Sequence, residues 1–168
     1  MWVDTGERGN FQSSEQEARI ICELVTEIRR AGIPSGEIAV LTPFRQQVRE
    51  LQAKLAASPA TYPAPRVDTV ERLQGQEAEV ALVSLACSHP SWLAEAAKFY
   101  FEDSRWNVAA SRAKSKLIFV GSLELCNTNP QSPRAAASMR RFIGILQGAM
   151  QIARHQRTSA TQIGEQMP

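Results

Sequence analysis

The stretch Val80-Ala81-Leu82-Val83-Ser84-Leu85 is apolar at every position but one. It lacks the alternation of apolar and polar residues that a half-exposed strand shows, so it predicts a strand that is buried on both faces. Further short runs with strand character lie at 38–41 and 117–120, which are wholly apolar, and at 67–70, which begins and ends with valine. Buried strands of this kind are typical of parallel sheets that are covered by helices.

Helical patterns alternate with these strands. Ser14 and Glu17 form a capping-box pattern, and the apolar residues that follow recur at helical spacing, which predicts a helix over 14–31. A second helix is expected after Pro43 and a last helix from Pro133. The alternation predicts the α/β class, with three layers and a mostly parallel sheet that has helices on both faces.

The length of 168 residues and the 43% of apolar residues suit one compact domain. We expect this domain to cover 1–157, followed by a polar, disordered tail over 158–168. The largest irregular region is expected over 88–103, with a short helix in it. No apolar run approaches the ~20 residues of a membrane span, and the three cysteines lack the spacing of a zinc site or a disulfide framework. These features, with the absence of a signal-peptide pattern, predict a cytoplasmic protein without a membrane partner.

The formal net charge is +2, so overall charge does not by itself indicate a polyanionic partner. Arg134, Arg140 and Arg141 on the last helix suit either phosphate contacts or an ordinary solvent-facing helix surface. His89 and His155 have no Cys, Asp or Glu partner at ligand spacing. We therefore predict no metal site.

Three strings stand where a sheet of this kind carries its functional loops, which are expected at the carboxyl ends of the strands. They are Thr-Pro-Phe-Arg-Gln-Gln at 42–47, Val-Asp-Thr-Val-Glu-Arg-Leu-Gln-Gly-Gln-Glu at 67–77, and Asn-Val-Ala-Ala-Ser-Arg-Ala-Lys, expected as a short helix, at 107–114. Together they resemble the motifs of the second RecA-like domain of superfamily 1 helicases, in the group that contains the nonsense-mediated-decay RNA helicase and related DNA helicases. The resemblance extends over 14–125 and implies a RecA-like fold of the P-loop NTPase superfamily.

The resemblance implies that Gln74, Gly75 and Glu77 contact a nucleotide, and that Arg112 is a catalytic arginine that reaches the terminal phosphate. Gly75 has no Cβ, so its amide can approach a phosphate oxygen closely, and Glu77 can accept a hydrogen bond from a ribose hydroxyl. The planar, permanently charged guanidinium of Arg112 suits a transferring phosphoryl group. The alternatives are an ordinary strand-connecting turn at Gly75 and a surface arginine at position 112.

The same resemblance places a grip on the nucleic-acid backbone at Thr42 and Thr69, with Gln47 supporting that region. Hydroxyl groups at strand ends can donate to phosphate oxygens without reading base sequence. The alternative is that the threonines cap turns or helices. Phe44 is expected to pack in the core.

The chain contains no Gly-Lys pair and hence no Walker A loop. The resemblance therefore implies that ATP with magnesium is held mainly by a first RecA-like domain that this sequence does not include. The expected function is that of the C-terminal motor domain of an ATP-dependent DNA or RNA helicase, inactive alone, with single-stranded nucleic acid and the first domain as partners. The alternative is a non-catalytic nucleic-acid- or protein-binding module derived from such a domain.

Overall fold

The computed structural model describes residues 1–72 and 77–164, with the backbone alone over 149–164; residues 73–76 and 165–168 lie outside it. The strands in the described part are β1 (Trp2–Asp4), β2 (Ile38–Thr42), β3 (Arg66–Thr69), β4 (Ala78–Ser84) and β5 (Ala113–Gly121). The α-helices there are α1 (Glu15–Arg30), α2 (Arg45–Ala57), α3 (Pro90–Tyr100), α4 (Asp103–Ala110) and α5 (Pro133–Gly164). Short 3-10 helices occupy Ser35–Glu37, Pro59–Thr61 and Leu123–Asn127.

The strands form one parallel sheet in the order β1-β5-β4-β2-β3, which confirms the predicted α/β class. The central strand is β4, and its buried residues include most of the apolar stretch that predicted it. Because all strands run the same way, their last residues share one edge of the sheet. We call this the carboxyl edge, where Thr42, Thr69 and Ser84 lie, and the opposite one the amino edge, where Ala78 and Ala113 lie.

Each face of the sheet has its own apolar core, which confirms the three-layer arrangement. Helices α1 and α2 cover one face, and α3, α4 and α5 cover the other. Successive β4 side chains point to alternate faces. Val80 and Leu82 therefore belong to the first core, and Ala81 and Val83 to the second.

Two helices differ from the sequence expectations. Residues expected to be mostly irregular form the eleven-residue helix α3, which His89 caps by accepting a hydrogen bond at Nδ1 from the Trp92 amide, at 3.3 Å. Helix α4 begins and ends earlier than the expected short helix over 107–114. The end of that string belongs to β5 because Ala113 pairs with Ala78 across the sheet.

A further difference lies near the start of the chain. The sequence analysis does not predict β1, which has only three residues and depends on the pairing of Trp2 with Phe119, far away in sequence. The helical backbone of α5 extends to Gly164, and the disordered tail expected over 158–168 stays a prediction. The domain boundary at residue 157 stays a prediction.

A membrane-spanning helix is not found in the part of the chain that the structure describes. The same part holds no group of three or more His, Cys, Asp or Glu side chains arranged to bind a metal ion.

Candidate functional site

The predicted site residues lie at two opposite edges of the sheet. Thr42 and Thr69 pair at the carboxyl edge, whereas Glu77 and Arg112 directly precede β4 and β5 at the amino edge. Since β4 has seven residues and a strand rises ~3.3 Å per residue, the two edges are roughly 20 Å apart. The expectation that all three strings meet at the carboxyl edge is therefore wrong. The parallel sheet forces the separation, because Thr42 and Thr69 end strands whereas Glu77 and Arg112 precede them.

Arg112 and Glu77 are brought together at the amino edge. The Ala78 amide donates a 2.9 Å hydrogen bond to the Arg112 carbonyl. Glu77, which precedes β4, therefore lies beside Arg112, which precedes β5. Glu77 is exposed, and Arg112 is half-buried. A carboxylate that can bind a ribose hydroxyl and a guanidinium that can bind a phosphate thus border the same edge.

The Arg112 side chain is oriented by the end of α4. Its Nε donates to the Val108 carbonyl at 3.0 Å, and one terminal nitrogen donates to the Ser111 hydroxyl at 2.9 Å. These bonds hold the guanidinium against the last helical turn. Of the other predicted nucleotide contacts, Gln74 and Gly75 lie outside the described residues.

Thr42 and Thr69 are adjacent but not equivalent. Thr42 is fully buried, and its Oγ1 accepts a long hydrogen bond of 3.5 Å from the Phe44 amide, as in the turn-capping alternative. Thr69 retains 7% exposure, and its hydroxyl has no hydrogen-bond partner among the described residues. Of the two threonines, Thr69 is thus the more exposed, and its hydroxyl is not used within the described part of the domain.

The buried side chain of Gln47 connects three elements at the carboxyl edge by hydrogen bonds. Its Oε1 accepts from the Ser14 amide at 2.7 Å, and its Nε2 donates to the Ser14 carbonyl and the Ser84 hydroxyl, each at 3.0 Å. The side chain links the start of α1, the start of α2 and the end of β4. This geometry matches the expected supporting role and leaves no face of Gln47 for a ligand.

Glu17 belongs to the same buried network, which sequence reasoning misses. Ser14 Oγ accepts from the Glu17 amide at 2.9 Å, so one half of the predicted capping box is present. The Glu17 carboxyl group, however, turns inward, and its oxygens accept from the Ser84 hydroxyl at 2.6 Å and from the Ala86 amide at 2.9 Å. Burial raises the pKa of Glu17 to about 8, although these hydrogen bonds oppose the shift. Nothing in the local sequence distinguishes this glutamate from an ordinary capping residue.

Two exposed arginines flank the threonine pair. Arg45 begins α2 just after the Thr42 turn, and Arg72 follows β3, with its amide donating to the Thr69 carbonyl at 3.0 Å. Neither side chain has an ion pair or a hydrogen bond with another described residue. The sequence includes both in the quoted strings but gives no reason to separate them from other surface arginines.

The basic face expected on α5 is partly used within the domain. Arg141 Nε donates to Asp103 at 3.0 Å, and a second guanidinium nitrogen pairs with the same carboxylate, which lowers the pKa of Asp103 through that hydrogen bond. Arg134 and Arg140 are exposed. Phe44 packs in the core against Trp92 and Tyr100, as expected.

Comparisons with known proteins show the family of this chain. A family model described as an AAA domain matches residues 3–124, and the chain belongs to this family. More specifically, it is a helicase C-terminal domain of the superfamily 1 type, as the motif strings predict.

Its relatives include DNA replication ATP-dependent helicase/nuclease JHS1 of Arabidopsis thaliana, 34% identical over 129 residues, with 73% of this chain and 9% of the relative covered. DNA replication ATP-dependent helicase/nuclease DNA2 of Mus musculus is 38% identical over 112 residues, covering 66% of this chain and 10% of that protein. Probable RNA helicase armi of Drosophila melanogaster is 30% identical over 114 residues, covering 66% and 9%. The chain thus spans only about a tenth of the length of these curated relatives.

Proposed function

We propose that this domain is the C-terminal motor domain of an ATP-dependent helicase, completing a nucleotide cleft at its amino edge and holding single-stranded nucleic acid at its carboxyl edge. The observation that carries the proposal is the pairing of β4 with β5, which places Glu77 beside Arg112. The helicase names of the relatives support the same function.

In this proposal Arg112 acts as an arginine finger. A guanidinium aimed at the transferring phosphoryl group stabilises charge that develops mainly in the transition state. Two of its partners, the Val108 carbonyl and the Ser111 hydroxyl, are neutral oxygen groups. A phosphate can replace them, because hydrogen bonds between ionised groups are stronger than those to neutral acceptors.

Glu77 has a different role, since a ribose contact is made equally in the ground state and the transition state. Gln74 and Gly75 complete the nucleotide contacts in the proposal. The first RecA-like domain would hold the magnesium and contribute the Walker lysine. The bound magnesium would neutralise phosphate charge when the two domains close.

The nucleic-acid grip is proposed at Thr69, Arg45 and Arg72. The Thr69 hydroxyl, which keeps slight exposure, and the two exposed guanidinium groups all suit phosphate oxygens, which are shared by DNA and RNA. Thr42 and Gln47 contribute from beneath by holding the turn and the strand end in place.

The test uses the intact helicase, with Arg112→Ala and Glu77→Ala compared in ATP hydrolysis stimulated by single-stranded nucleic acid. Arg112→Ala is expected to lower kcat by roughly 1,000-fold with little change in KM. Glu77→Ala is expected chiefly to raise KM. Lys114→Ala, at an exposed cation two residues beyond Arg112, serves as the matched control and should leave both constants unchanged.

Equal effects of the Arg112 and Glu77 changes on kcat and KM would contradict the assigned roles. Full activity of Arg112→Ala would instead favour the non-catalytic binding module.

A further inference from the structure

We propose that Phe11 and His89 form a stacking platform for one unpaired nucleobase of the bound strand, an inference that rests on the proposed nucleic-acid function. The two rings are stacked, with centroids 4.5 Å apart and planes 22° from parallel. Phe11 is nevertheless 51% exposed. His89 covers one face of the Phe11 ring, and about half of the Phe11 surface remains exposed to a ligand.

Hydrogen bonds fix the two chain segments that carry the platform. The amides of Ser88 and His89 both donate to the Asn10 carbonyl, at 2.9 and 3.0 Å, and the Asn10 amide donates to the Ser88 hydroxyl at 3.0 Å. His89 is itself fixed as the cap of α3. An aromatic ring presented on a fixed backbone loses little conformational entropy when it binds, unlike a side chain on a loose loop.

The platform lies at the carboxyl edge, the same edge of the sheet as the proposed nucleic-acid grip. The segment before Ser14 follows β1, and Ser88 follows β4, so both chain segments lie at the carboxyl edge. Since β4 pairs with β2, and paired strands are ~4.8 Å apart, the ends that carry Thr42 and the platform are neighbours. Helix α3 also contacts the Thr42 turn, with the Phe44 and Trp92 ring centroids 5.6 Å apart.

A nucleobase is the occupant that the surroundings favour. The exposed guanidinium groups of Arg45 and Arg72 stand at the same edge, which favours a polyanion over an apolar peptide. Every base has a flat π-face, so stacking adds affinity without reading sequence. Base stacking on the platform and phosphate contacts at the grip would therefore both bind a strand without reading its sequence.

The experiment measures binding of the 168-residue chain by fluorescence anisotropy. Two labelled strands are used, an oligothymidylate of about 12 nucleotides and the same strand with abasic units in place of its bases. Phe11→Ala and Phe11→Leu are expected to weaken binding of the oligothymidylate about tenfold and to leave binding of the abasic strand unchanged. Tyr62→Ala is the matched control, because Tyr62 is 79% exposed but precedes β3 at the amino edge.

The outcomes separate the platform from the function on which it rests. Equal losses on both strands, no loss on either strand, or an equal loss in Tyr62→Ala would overturn the platform. If Arg45→Gln/Arg72→Gln loses binding while the Phe11 variants do not, the platform is wrong and the strand grip stands. Failure of the unchanged chain to bind either strand at low salt would overturn the grip itself.

A second measurement does not depend on a variant that folds. With 2-aminopurine in the strand, the unchanged chain should quench its fluorescence on binding, because the base stacks on Phe11. Absence of quenching in the bound complex overturns the platform even if Phe11→Ala is unstable.

Discussion

The carboxyl group of Glu17 accepts a 2.6 Å hydrogen bond from the hydroxyl of Ser84, which lies 67 positions away at the end of β4. The same carboxyl group accepts from the amide of Ala86, whose φ of 56° is in the left-handed region. That conformation costs a non-glycine residue roughly 1 kcal/mol, so the hydrogen bond helps to hold the backbone where the strand leaves the sheet. The start of α1 and the carboxyl edge are thus joined through one buried acid.

Replacing Glu17 with Gln should change how stability depends on pH. The unfolded chain releases the Glu17 proton near pH 4.5, whereas the folded chain keeps it up to about pH 8, so the free energy of unfolding contributed by this group falls as pH rises between those values. Over the whole of this pH range, the contribution of Glu17 to the free energy of unfolding falls by roughly 5 kcal/mol. Glu17→Gln should remove this fall and be the more stable protein at the upper end of the window. Urea denaturation across this range measures it, and an unchanged pH slope would contradict the assignment.

Replacing Gln47 with Ala should destabilise the fold. Three hydrogen bonds are lost, and the amide and carbonyl of Ser14 remain buried without these partners, which costs roughly 2–4 kcal/mol. The neighbouring Gln46 is exposed, so Gln46→Ala should lie within ~0.5 kcal/mol of the unchanged chain. Equal denaturation midpoints for the two variants would show that the Gln47 network contributes nothing.

Substitution of Thr42 should affect the stability of the domain, whereas substitution of Thr69 should affect strand binding. Thr42→Val should lower the free energy of unfolding by about 1 kcal/mol and leave strand affinity unchanged, because its hydroxyl is buried. Thr69→Val should weaken strand binding with little effect on stability. Thermal melts and anisotropy titrations of both variants test this, and a reversed pattern would exchange the roles.

The paired change Arg45→Gln/Arg72→Gln should weaken binding of every single strand to a similar extent. Loss of two phosphate contacts lowers the slope of log affinity against log salt by about 1.4. Arg140→Gln, on the exposed surface of α5, is the control and should leave the slope unchanged. A slope that changes with Arg140 instead would move the grip to α5.

The isolated chain should not hydrolyse ATP, even with single-stranded nucleic acid present, because the sequence has no Gly-Lys pair to form a Walker A loop. Turnover near the ~1 to 100 s⁻¹ usual for phosphoryl-transfer enzymes, unaffected by Arg112→Ala, would contradict the division of the site between two domains. A colorimetric phosphate assay on highly purified protein is sufficient.

Much of the fold can be predicted because its signals are local. Apolar runs indicate the buried strands, and the cap at Ser14 and the apolar spacing indicate the helix that follows. The motif strings indicate the family through residue types at short spacing, including Arg112 and Glu77. The strand β1 escapes such reasoning because three residues carry no period, and only their pairing with β5 makes them a strand.

The sequence by itself determined the α/β class, the helicase-type family and the residue types available for phosphate and ribose. Only the tertiary structure decided that Thr42 is fully buried while Thr69 keeps 7% exposure, that Arg112 and Glu77 lie at the edge opposite the threonines, and that Glu17 turns inward to Ser84. The physical reason is that hydrophobic period and helix capping act between residues close in the chain. Exposure, strand register and the partners of a buried carboxyl group depend on contacts between segments that are far apart in sequence and meet only when the sheet assembles.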